Sequence, residues 1–142
     1  MREALDGPIS AEGASAEGVS PEGRRVRGPD GDALAHQIVD VLVDHQAADV
    51  VMLDLTQLAA FTDYFVISTV DNHRQMQALV VAVDALMVSM PGARFRQEGD
   101  PESGWVLLDV GPVVVHLFGL EERARYNLEG LWSRGREVVR IQ

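Results

Sequence analysis

Apolar positions between Gly104 and Phe118 fall into two runs, Trp105 to Leu108 and Val113 to Phe118, separated by Asp109, Val110, Gly111 and Pro112. Two stretches of β-branched and aromatic residues on either side of a turn signal predict an antiparallel hairpin rather than a helix. A turn centred on Val110-Gly111 sets Asp109 opposite Pro112, Leu107 opposite Val114 and Trp105 opposite His116. Because side chains alternate across a sheet, one face then carries Trp105, Leu107, Asp109, Val114, His116 and Phe118. The other, with Val106, Leu108, Val113, Val115 and Leu117, is wholly apolar and belongs against a core. The mixed face is where recognition is expected.

The remaining pattern supplies the surroundings of this hairpin. Asp30-Gly31-Asp32 has helix-start chemistry, and Leu34, Ile38, Val41, Leu42 and His45 follow as one stripe of a first helix ending near Gln46. Asp49 to Leu55 and Asp63 to Ser68 read as strands. Asn72 followed by Gln75 has the spacing of a capping box. Met76, Leu79, Val80, Val83, Leu86, Met87 and Met90 keep one helical face as far as Pro91-Gly92. Val81, Ala82 and Val88 widen that face, so the second helix is expected to be central or covered by a second copy of the chain. Ala93 to Glu98 reads as a polar edge strand. After the hairpin, Glu121, Glu122, Ala124, Leu128, Leu131 and Trp132 predict a short amphipathic helix weakened at Gly130. Val138, Val139 and Ile141 suggest a closing strand. This order implies an α+β or α/β sandwich, a mixed β-sheet with covering helices.

Residues 1–29 change the domain picture, being rich in Gly, Ala, Ser, Pro and Glu with little apolar periodicity. That composition reads as a disordered N-terminal tail, leaving one folded domain from residue 30 to 142. Charge narrows the partner. The 142-residue chain carries 22 acids against 12 basic residues, all arginine, for a net charge of −10. Such a balance disfavours bare nucleic acid or an anionic membrane and suits a basic protein surface. Cysteine is absent, so disulfides, thiolate metal sites and thiol nucleophiles do not enter. No apolar run is long enough to span a bilayer and no secretory signal opens the chain, so a cytoplasmic location is expected.

Catalytic patterns are missing. His36, His45, His73 and His116 stand at no metal-ligand spacing, and neither phosphate-loop glycine pattern occurs. The turn Thr69-Val70-Asp71-Asn72 before the second helix lacks glycine and places an acid where a phosphate would be repelled. No Gly-x-Ser-x-Gly elbow or strand-borne Asp-x-Asp pair is present. Asp30 and Asp32 read as helix capping, and Arg123 and Arg125 beside Tyr126 read more readily as a solvated helix end than as a phosphate site. A histidine within an apolar strand, as at His116, reads more readily as structural than as a base.

Asp63-Tyr64-Phe65-Val66-Ile67, Arg74-Gln75, Glu98-Gly99, Trp105 with Asp109 and Gly111, Val113 to His116 with Phe118, and Tyr126 with Leu128-Glu129 and Leu131-Trp132 together resemble the ribosomal silencing factor (RsfS, Iojap) family. The resemblance covers about residues 32–132. It implies a nucleotidyltransferase-like α/β sandwich without that enzyme's catalytic residues, no enzymatic activity and no cofactor. It further implies binding to ribosomal protein L-fourteen of the large ribosomal subunit and a steric block to joining of the small subunit, lowering translation when nutrients are short. A homodimer off the ribosome is also implied. Carried over by motif, Trp105, Asp109, His116 and Tyr126 become candidate partner-binding residues, and the hairpin face adds Leu107. An aromatic anchor beside an acid suits a basic surface, with Trp105 as the expected hot spot and ordinary core as its alternative role. Two positions depart from the family pattern: Thr69 to Asn72, and Pro112, whose missing amide places it at an edge or outside the ladder. Two other readings remain: a nucleotidyltransferase-like nucleotide-binding enzyme and a homodimeric structural module.

Overall fold

The computed structural model describes residues 30–142; the expected N-terminal tail lies outside them. The elements in order are α1 (Gly31–Asp44), β1 (Ala48–Asp54), β2 (Tyr64–Val70), α2 (His73–Val88), β3 (Arg96–Glu98), β4 (Trp105–Asp109), β5 (Val113–Gly119), α3 (Leu120–Tyr126), α4 (Leu128–Leu131) and β6 (Arg136–Ile141). The strands form one mixed sheet in the order β3-β4-β5-β2-β1-β6, with β2 and β5 parallel and the other neighbours antiparallel. The expected mixed sheet with helical cover is therefore the fold. No helix among the described residues is long and apolar enough to cross a membrane.

Local chemistry sets the helix ends. Asp30 caps α1 by accepting from the Ala33 amide at 3.1 Å, as its position before the first apolar turn predicts. The far end closes in a Schellman arrangement: Ala47 N–H reaches Leu42 O and Gln46 N–H reaches Val43 O, both at 2.9 Å. Gln46 supplies the left-handed turn at φ 68°, a role more often taken by glycine. Asn72 caps α2 through the Gln75 amide at 2.8 Å. Gln75 answers by accepting from Asp71 N–H at 2.7 Å and donating to Gln46 O at 2.9 Å. One side chain thus joins the start of α2 to the end of α1.

Both faces of the sheet are buried. On the first, α1 and α2 cover Val50, Met52, Val66, Val106, Leu108, Val115 and Leu117, as the apolar hairpin face requires. His45 departs from the expected stripe and is exposed, while Ala35 and Val39 take its place inside. On α2, Val80 and Val83 are buried but Val81 and Val88 are 57% and 80% exposed, so only part of its broad apolar surface faces the sheet. On the second face, Val51, Leu53, Phe65, Ile67, Trp105, Leu107, Val114 and Phe118 lie beneath Leu55, Phe61, Tyr126, Leu128 and Trp132.

The hairpin differs from expectation in its pairing and agrees in its faces. The turn residues are Gly111-Pro112, with Val110 N–H bonded to Val113 O at 3.1 Å. Trp105 pairs with Phe118, Leu107 with His116 and Asp109 with Val114. Gly111 takes φ 102° and Pro112 precedes β5, so glycine and proline occupy the positions where a positive φ and a missing amide donor are tolerated. Moving every partner by two residues preserves alternation, which is why the mixed face keeps its members. The expected single C-terminal helix is broken at Asn127, φ 47°, rather than weakened at Gly130. The closing strand forms as β6 beside β1.

Candidate functional site

The second face gathers the side chains singled out in the sequence. β4 and β5 bring Trp105, Leu107 and His116 onto one surface, and α3 lays Tyr126 over Trp105 with ring centroids 4.6 Å apart. Phe118 lies 4.9 Å from Trp105, and Phe65 meets His116 edge-to-face at 4.5 Å. Trp105, Leu107, Asp109 and His116 are all inside, at 3%, 4%, 1% and 0% exposure. Trp105 is accordingly a core residue in this structure and not an exposed anchor. Its neighbour Tyr126 is half-buried, and Leu120 of the same helix is 74% exposed. The expected docking face therefore forms a buried layer with an exposed rim on α3.

His116 is held by its environment in one state. The Trp105 indole N–H donates to His116 Nδ1 at 3.2 Å, so the ring proton resides on Nε2. Nε2 has no hydrogen-bond partner among the described residues, and the imidazole edge packs on Phe65. Burial pushes the His116 pKa down from 6.5 to about 3, because a charged imidazolium would be stripped of water with no acid beside it. Near neutral pH, His116 is an uncharged acceptor that orients the tryptophan.

Asp109 is turned inward, 1% exposed. Its carboxylate accepts from Arg94 Nη2 at 3.0 Å and from the Gly111 amide at 3.0 Å, closing the hairpin turn and binding it to the segment before β3. Arg123, expected in a solvated helix end, is instead 8% exposed. It grips Glu129 with two bonds, from Nε at 3.1 Å and from Nη2 at 3.0 Å. Its Nη1 donates to Asp49 O at 2.6 Å and to Thr69 Oγ1 at 2.9 Å. Arg140 on β6 adds bonds to Asp49, Glu129 and Glu137. Burial pushes the Glu129 carboxyl up, but the hydrogen bonds and charges of Arg123 and Arg140 outweigh it and hold it below its ordinary value. No signal in the sequence marked Arg123, because its acceptors come from residues 49, 69 and 129, on three separate elements. Among the described residues, no three His, Asp or Glu side chains are placed to hold a metal ion.

A mixed six-stranded sheet with helices over both faces and a buried aromatic layer on the second defines an α+β fold. The chain belongs to the ribosomal silencing factor family: the family model described as "Ribosomal silencing factor during starvation" matches residues 29–142. A ribosomal silencing factor of Zymomonas mobilis is 34% identical over 108 residues, covering 76% of this chain and 81% of that protein. The corresponding protein of Bacillus subtilis is 37% identical over 90 residues, covering 63% and 76%. A crystal structure of a Chromobacterium violaceum protein superposes with a TM-score of 0.69 at 27% identity, covering 80% of this chain and 94% of that one.

Two outcomes follow from the buried layer. Trp105→Ala should lower stability by roughly 3 to 5 kcal/mol, the scale for removing a buried aromatic side chain. Urea unfolding checks this, and a loss under about 1 kcal/mol would place Trp105 outside the core. His116 generates a pH dependence whose sign is fixed by its lowered pKa. The unfolded chain takes up the proton first, so stability falls as pH drops below 6.5 and continues to fall towards about 3. At one pH unit below the unfolded value the His116 contribution is about 1.4 kcal/mol. His116→Asn should flatten the stability profile between pH 6.5 and 5, measured by urea midpoints, and an unchanged slope would contradict it.

Proposed function

We propose that this protein is a noncatalytic factor that binds the large ribosomal subunit at ribosomal protein L-fourteen and sterically blocks joining of the small subunit, lowering translation in the cytoplasm under nutrient limitation. The observation that carries the reading is the family match along essentially the whole described chain. The geometry supports it in two ways. The rings of Trp105, His116, Tyr126, Phe65 and Phe118 form a stiff platform, with Leu107 beside them and Asp109 fixing the hairpin turn, since interlocked aromatic rings have little conformational freedom left to lose on binding. Above it, Leu120, Arg125 and Tyr126 present an apolar, aromatic and cationic rim: Arg125 stands 5.3 Å over the Tyr126 ring, and Leu120 is 74% exposed. In this reading the buried residues shape the docking surface and Tyr126 touches the partner. From residue 30 onward the chain carries 8 arginines against 17 acids, a balance suited to a basic ribosomal protein rather than bare RNA.

A second reading, a homodimer off the ribosome, is favoured by the exposed Val81 and Val88 on α2. Burying these two side chains against another copy would remove apolar surface from water.

Light scattering on mixed purified subunits tests the first reading: saturating protein should abolish most of the association signal. Full association with the large subunit already saturated would reject it. Sedimentation equilibrium tests the second, with Val81→Asp expected to shift a monomer–dimer equilibrium towards monomer by at least tenfold. A parent protein that stays monomeric across the concentration range would remove that reading.

A further inference from the structure

A groove opens on the second face, between the turn that follows β1 and the end of α4. It encloses about 460 Å³ and is lined by Gln57, Leu58, Ala59, Leu131, Trp132 and Arg134. Both walls are fixed. Asp54 Oδ1 accepts from the amide and hydroxyl of Thr56 at 2.8 and 2.6 Å. Asp54 Oδ2 takes Arg136 Nη2 at 2.8 Å, joining the turn to the chain beyond α4. Below, the Trp132 ring meets Phe65 edge-on at 5.5 Å and Phe61 at 6.1 Å. Gly135 lets the backbone lie against Leu55, whose Cδ2 would stand 2.6 Å from any added Cβ. A groove held this way loses little freedom on filling, and tryptophan is enriched where such pockets bind.

Its chemistry has two parts. Leu131 is 45% exposed and forms an apolar wall with Leu58 and Ala59. Arg134 supplies the charge. Of the eight arginines from residue 30 onward, six are ion-paired with acids, and Arg134 forms no ion pair among the described residues. In a domain with twice as many acids as arginines, an unpaired guanidinium beside a preformed apolar groove is complementary to a carboxylate next to an apolar side chain.

We infer that this groove is a second docking point, which seats an apolar side chain and adjacent carboxylate from a protein segment of the large ribosomal subunit. The inference rests on the large-subunit reading above. A protein segment fits better than RNA because Arg134 is a single cation among apolar side chains, whereas phosphate binding rewards clustered positive charge.

The test is co-sedimentation of the full chain with purified large subunits, using the parent protein, Leu131→Ser, Arg134→Gln and Ala59→Arg, with melting curves to establish folding. Ala59→Arg obstructs the groove from an exposed turn and stands in for Leu131→Ser should that variant unfold. Each of the three substitutions should weaken binding at least fivefold while the protein stays folded. Parent-like binding by all variants would overturn the groove and leave the large-subunit reading intact. Weakening by Arg134→Gln alone would identify a phosphate contact and overturn the protein occupant; weakening by the apolar-wall variants alone would overturn the carboxylate. Failure of the parent protein to bind would reject the large-subunit reading, and the groove's assigned partner with it.

Discussion

The parallel pairing of β2 with β5 at the centre of the sheet is the constraint on which the rest of the structure depends. Parallel neighbours need a long crossover and occur almost entirely where both faces are covered. The first face is covered easily, by helices of 14 and 16 residues. Among the described residues, the second carries helices of seven and four residues, too short to hold themselves together in water. Arg123 compensates by tying α3 to the start of β1, the end of β2 and Glu129 at the start of α4. Burying a guanidinium is costly, and here the bidentate carboxylate, a carbonyl and a hydroxyl together offset the lost hydration. The charged clasp and the aromatic layer beneath it are therefore two halves of one cover.

That arrangement also places the aromatic residues of the hairpin inside the fold. Trp105 and His116 form a hydrogen-bonded pair in a desolvated setting, where each polar atom that lacks a partner is costly. The pair fixes the indole plane, the indole supports Tyr126, and Tyr126 carries Arg125 above it.

Much of this was legible in the sequence. Period-two alternation identified both faces of the hairpin correctly although the pairing shifted by two residues, since parity alone decides which side a residue takes. Asp30 and Asn72 were recognisable as caps because capping acts within three residues. The edge position of β3 and the place of Pro112 outside the ladder were likewise local matters. What the sequence concealed was long-range. The burial of Trp105 and Asp109 depends on α3 and on Arg94, and Arg123 looked like an ordinary charged helix residue until residues 49 and 69 were brought beside it. The helix breaks at Asn127, where the sequence pattern indicated one helix weakened at Gly130, because the left-handed Asn127 starts α4, its side chain accepting from the Gly130 amide.

In the proposed function the second face, with its short-helix cover, is the side presented to the large subunit. Amide hydrogen exchange of the full chain, free and bound to purified large subunits, tests it directly because protection is read segment by segment. Docking through the second face should slow exchange across residues 120–134 on binding, with α2 unchanged. Protection confined to α2, with residues 120–134 exchanging as in the free protein, would contradict it.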